Sequence, residues 1–146
     1  MASADALDRA SDKVFAALNR VGGDPRALPV PAQTVAVIYS AQGIVDNGGF
    51  RYFFEADWPG NPPYSMFTQA YQRIGAVAAA ERFERAIAMF PFPEPHLKKD
   101  ARNQFMDGLA EDHEFFELGN KVCGDETVWA KLAEYVATNH LLNDDA

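Results

Sequence analysis

Two adjacent glycines, Gly48 and Gly49, stand directly before phenylalanines at positions 50, 53 and 54, and a Pro59-Gly60 pair ends the stretch. That order restricts the chain severely. Positions i, i+3 and i+4 share one face of an α-helix, so Phe50, Phe53 and Phe54 predict a short helix carrying an aromatic ridge. Glycine reaches positive φ without a Cβ penalty, so the pair predicts a sharp joint ahead of that ridge. Asp46 and Asn47, just upstream, are expected to cap the N–H groups of the helix that begins near Phe50. Those N–H groups could instead attract a phosphate or carboxylate, but Asp46 would repel an anion. A structural joint is therefore the preferred reading of Asp46, Asn47, Gly48, Gly49 and Phe50.

Helical periodicity continues on both sides of the joint. Residues 5–21 place Leu7, Ala10, Val14, Ala17, Leu18 and Val21 on one stripe, and Gly22-Gly23 with Asp24-Pro25 is a plausible stop. A proline-bearing connector at 26–31 follows, and then residues 32–46 are apolar on two sides. The VAVIY run could be a strand, since β-branched residues fill it, but no partner strand is in view and a buried central helix is favoured. Ser65 is a fair N-cap for a helix that Gly75 closes, and an alanine-rich helix through Phe90 comes next. FPFPEP at 90–95 has proline at every second position and reads as a connector. Helices are expected over 97–109, 111–122 and 127–142. The fold class is all-α: residues 1–146 form one compact domain of about seven or eight helices, several short.

Composition excludes several function classes. No apolar run nears the ~20 residues that span a bilayer, and Asp5, Asp8 and Asp12 occupy the place of a signal peptide's basic start. A lone Cys123 offers no internal disulfide and no CxxC motif. A cytoplasmic protein is expected. The net charge of −8 argues against direct contact with nucleic acid, whose phosphates need Lys and Arg. Residues 1–90 balance at −1 and residues 91–146 at −7, so the acidity lies in the last third. Such a field keeps a protein soluble or steers a basic partner.

Three places could carry chemistry. His113 and Glu117 at i, i+4 could share a metal on a helix face, but His96 and His140 have no matching spacing, and a surface helix with one histidine is preferred. No metal, cofactor or catalytic residue is expected. Asp107, Glu111, Asp112, Glu114, Glu117, Asp125 and Glu126 stand against Lys121 alone within twenty residues. Glu111, Glu114 and Glu117 would follow one another along a helix face, with no internal basic residue to relieve them. They read as a solvated face or as carboxylates spaced to occupy a DNA-binding protein's basic surface. A rival reading is a small-molecule or enzymatic pocket around residues 46–50, Tyr52 and Trp58. Exposed Trp58 and Tyr64 could also support a homodimer.

The stretch IVDNGGFRYFFEADWPG, a helix ending RIGA and then AAERFERAIAMFP together resemble a bacterial family named for a DNA-mimic protein. Its signature is an Asn/Asp-Asn-Gly-Gly-Phe turn, an aromatic helix, a helix ending Ile-Gly-Ala and an alanine-rich helix closing on Phe-Pro. Asp46, Asn47, Gly48, Gly49, Phe50, Phe53, Phe54, Ile74, Gly75, Ala76, Ala86, Phe90 and Pro91 stand at those positions. DHEFFELGNKV resembles a later helix of the family, and the resemblance covers residues 33–142, leaving 1–32 as an N-terminal helix and connector. It implies an all-α fold. For the member that gave the family its name, it implies inhibition of a helix-turn-helix transcription factor by carboxylates standing in for DNA phosphates. It transfers no catalytic residue.

Overall fold

The computed structural model describes residues 4–141. Seven α-helices run through them: α1 (Ala4–Arg20), α2 (Val30–Glu55), α3 (Ser65–Arg73), α4 (Val77–Met89), α5 (Lys99–Asp107), α6 (Glu114–Val122) and α7 (Glu126–Thr138). Single 3-10 turns at Pro25–Ala27 and Pro95–Leu97 lie in the two proline-bearing connectors, and no strand occurs among the described residues. The all-α expectation holds.

Helix α2 is the axis of the fold, with α1, α3, α5, α6 and α7 all packed on it. Its VAVIY run is helical because Val35, Val37 and Ile38 are each buried, and burial on several faces outweighs the β-preference of branched side chains. Helix α7 runs back along α2, since Trp129 reaches Asp46 while Tyr135 reaches Thr34.

The expected joint is present inside α2. Gly48 (φ −157°, ψ 19°) and Gly49 (φ 65°, ψ −157°) leave the helical region, and the Gly49 combination is one that residues with a Cβ avoid. Beyond the break, Phe50, Phe53 and Phe54 are fully buried. Phe50 meets Phe83 of α4 at 4.7 Å between ring centroids, Phe53 meets Phe67 of α3 at 5.1 Å, and Phe54 meets Phe115 of α6 at 5.4 Å. One ridge thus ties three helices to α2, and burial of each ring is worth about 2–3 kcal/mol. Helix α6 crosses the joint at Gly119, where a Cβ would sit 2.7 Å from the Phe50 backbone nitrogen.

Several boundaries move for local reasons. Ser65 opens α3 as a helical residue and its side chain caps nothing; Tyr64 precedes the helix. The 97–109 segment becomes helical only at Lys99, because Pro95–Leu97 forms the 3-10 turn. The 111–122 segment starts at Glu114, with Glu111 and Asp112 in a turn before it. Helix α7 ends at Thr138, and the expected end at Leu142 lies outside the described residues. Val21, placed on the apolar stripe of α1, is 40% exposed past the helix end.

Arg102 of α5 is a structural residue that apolar periodicity does not reveal. Its side chain is fully buried and donates from Nε to the Phe54 carbonyl (2.8 Å) and from Nη1 to the Pro95 carbonyl (2.7 Å). Nη2 reaches the Ala56 carbonyl (3.2 Å) and Asp57 Oδ1 (3.0 Å). The guanidinium therefore satisfies carbonyls at the C-terminal end of α2, where no intrahelical donor is available.

Two outcomes follow for equilibrium unfolding in urea. Arg102→Met should lower stability by about 3 kcal/mol, because the carbonyls it serves lose their donor inside the protein. Gly119→Ala should cost about 1–3 kcal/mol despite alanine's better helix propensity, because its methyl collides with backbone.

Candidate functional site

The Asp46–Phe50 turn is built to hold helices together. The Asp46 carboxylate does not cap the helix that follows it. Oδ1 accepts from Gln42 Nε2 (2.8 Å) and from the Gly124 backbone N–H (2.7 Å), and Oδ2 accepts from Trp129 Nε1 (2.9 Å). Buried Gln42 also donates to the Val122 carbonyl (2.8 Å) and accepts from the Tyr71 hydroxyl (3.0 Å). The network joins α2, α3, the end of α6 and α7. The expectation of an Asp46 cap is corrected because Gly124 and Trp129, far along the chain, come within reach of the carboxylate.

The residues of the rival pocket do not converge. The Tyr52 ring covers Gly48, where a Cβ would fall 2.1 Å from it, and Tyr52 borders an open groove with Ile44, Glu55 and Lys99. Trp58 instead stacks toward Phe53 and Phe67 and borders a different cleft with Phe15 and Pro62. The proposed dimer aromatics are likewise not free: Tyr64 is 4% exposed and Trp58 is half-buried. Of the large apolar side chains, Tyr52 is the exposed aromatic, at 53%.

His113 stands at the N-cap of α6, and its Nδ1 accepts from the Phe115 N–H (3.0 Å). It precedes the helix, so it does not share a helical face with Glu117, and that nitrogen is already engaged. No cluster of three or more His, Cys, Asp or Glu side chains suited to a metal occurs among the described residues.

The acidic run divides into two groups. Asp107 pairs with Arg51 Nη1 at 3.0 Å, Glu114 pairs with Arg85, and Asp125 caps α7 by accepting from the Thr127 N–H (3.0 Å). Arg51 also lies over the Phe116 ring, 5.2 Å from its centroid. Two guanidiniums from α2 and α4, both outside the run, therefore relieve two of its carboxylates. Glu111, Asp112, Glu117 and Glu126 remain exposed and form no ion pair among the described residues. Glu111 sits in the turn before α6, so Glu111, Glu114 and Glu117 do not form the single helical row expected of them. On α6 itself, Phe115, Leu118, Gly119 and Val122 face the core, and Glu114, Glu117 and Lys121 face outward.

Burial moves two phenols. Desolvation pushes the Tyr71 hydroxyl well up, reinforced by the charges of Asp46 and Asp125. Desolvation likewise pushes Tyr64 far up, with the Arg102 charge working against the shift.

A protein-family model described as DMP19-like protein matches residues 26–139, well over half of the chain. No curated protein and no solved structure matches it.

Two measurements check the network. Asp46→Ala should cost about 2 kcal/mol, since Trp129 Nε1 and Gln42 Nε2 lose their acceptor, and thermal unfolding reads the loss. The raised Tyr71 and Tyr64 contribute stability that is fully present below the ordinary tyrosine value. That stability falls as pH rises above about 10, because the unfolded phenols ionise first. Absorbance at alkaline pH should show these two phenols silent until the protein unfolds; their titration in the folded state would contradict their burial.

Proposed function

Because the chain belongs to the DMP19-like protein family, we propose that it is an acidic protein-interaction domain that masks the basic surface of a DNA-binding protein. It acts by binding, without catalysis, and does so in the cytoplasm where such a partner works. The observation that carries the reading is that Glu111 and Asp112 before α6, Glu117 on it and Glu126 at the start of α7 are exposed without an ion pair among the described residues, while Asp107 and Glu114 are paired. Carboxylates in water cost little to display, and they attract Lys and Arg over about a Debye length, ~10 Å at 0.1 M salt.

The paired acids have a separate part in this reading. At the surface, Arg51 of α2 pairs with Asp107 at the end of α5, and Arg85 of α4 pairs with Glu114 at the start of α6. Such exposed pairs add little stability on their own, about 0–1 kcal/mol each. Their use is to fix where the free carboxylates stand, so that a partner meets a set arrangement of charge.

Capture of a basic helix-turn-helix protein on the immobilised domain tests the proposal. Capture should be firm at low salt and fall steeply toward moderate salt, as for an interface made of charge pairs. The combined variant Glu111→Lys, Asp112→Lys and Glu117→Lys should weaken it by more than about tenfold while leaving the melting temperature near that of the parent. If capture by that variant equals the parent's, the acidic face is not the binding surface.

A further inference from the structure

Two clefts adjoin where α1, α2, α3 and the loop after α2 meet, and Val37 and Met66 border both. The first, of about 210 Å³, is walled by Phe15, Leu18, Trp58 and Phe67, with Ser40 supplying the one side-chain hydroxyl of its lining. The Trp58 indole N–H in that wall is buried with no acceptor among the described residues, which marks packing left incomplete there. The second cleft, of about 150 Å³, has a different chemistry. Arg26, Arg73, Gln33, Gln69 and Ser65 border it, and no carboxylate does.

The two guanidiniums are held differently. Arg26 is fixed by Asp24, at 2.9 Å from Nη2 to Oδ2, and by the Gly60 carbonyl, at 2.7 Å from Nη2. Its charge is therefore already met. Arg73 donates from Nη1 to the neutral Thr34 hydroxyl at 2.8 Å and has no carboxylate in ion-pair reach among the described residues. In a protein with a net charge of −8, the exposed Arg73 thus borders a donor-rich cleft beside an apolar one, with no counterion among the described residues. A guanidinium flanked by amide and hydroxyl donors suits a planar carboxylate, whose oxygens can accept two parallel N–H bonds.

We propose that the adjoining clefts bind a small amphipathic carboxylate, its head at Arg73 and its apolar chain across Val37 and Met66 toward Phe15, Trp58 and Phe67. Met66 is half-buried, unbranched and has several rotatable bonds, so it is the part of the shared wall able to shift as a chain passes. Binding here is independent of the acidic face and involves none of its residues. The site takes a ligand by matching an apolar pocket to a few placed polar groups, and it assigns no reaction.

Titration calorimetry on the full chain tests this with octanoate, octan-1-ol and acetate as probes. Octanoate should bind at least about tenfold more tightly than octanol, which lacks the charge, and than acetate, which lacks the chain. Arg73→Gln should cost octanoate about tenfold and leave octanol unchanged, while Arg73→Lys, which keeps the charge without the two-pronged fork, should fall between the parent and Arg73→Gln. Ser40→Leu, which fills the apolar cleft from its edge, should remove binding of both eight-carbon probes, with melting temperatures confirming that each variant is folded. Equal affinity for octanoate and octanol, or octanoate binding indifferent to Arg73→Gln, would overturn the assignment of the head group. Absence of octanoate binding to the parent protein would overturn the site altogether.

Discussion

A chain break that must stay rigid organises the molecule. At Gly48–Gly49 the axis helix leaves helical φ and ψ at a kink, and the helix beyond it carries the buried Phe50, Phe53 and Phe54. A break of this kind would be a hinge in isolation. Here α6 presses Gly119 against the Phe50 backbone on one side, and the Tyr52 ring lies against Gly48. The Asp46 carboxylate, one residue before Asn47, ties Gly124 and Trp129 to the last turn ahead of the break. Small residues permit the approach, and a single acceptor with several donors holds it. Three helices (α2, α6 and α7) meet at that closure.

The acidic stretch shows how charge counting along a chain differs from charge in space. Within its twenty residues only Lys121 is basic, so the run looks unrelieved. The cations that relieve it, Arg51 and Arg85, belong to other helices and arrive through folding. The same process spends Asp125 on a helix cap. What is left, Glu111, Asp112, Glu117 and Glu126, is a smaller set than the sequence offers, with its geometry set by the pairs around it. For the proposed masking of a basic surface, such sorting of carboxylates into paired and free charges matters more than their total. The Arg26–Arg73 cleft is the complementary case: cations 47 positions apart in the chain gather in one place within an acidic protein.

Much of the fold was legible because burial imposes periodicity. The stripe Leu7, Ala10 and Val14, the ridge of phenylalanines, and Ala79, Phe83 and Ala86 all face the core as their spacing requires. Prolines and glycines marked the connectors for equally local reasons. Polar residues were harder to read. Arg102, Gln42 and Asp46 each serve groups contributed by distant segments, and nothing in their own neighbourhoods distinguishes them from surface residues. Tyr64 and Trp58 looked free for association because the loop that folds them onto Phe53 and Phe67 has no repeating pattern.

By itself, then, the sequence determined the all-α class, the joint at Gly48–Gly49 and the aromatic ridge behind it, along with the family to which those residues belong. These depend on interactions within a few residues, or on the general requirement that apolar side chains leave water, and both are written into local order. Only the tertiary structure decided which carboxylates are free, what Asp46 binds, and that a guanidinium without a counterion stands beside an apolar cleft. Hydrogen bonds and ion pairs are short-ranged and directional, so their partners are chosen by where the helices come to rest.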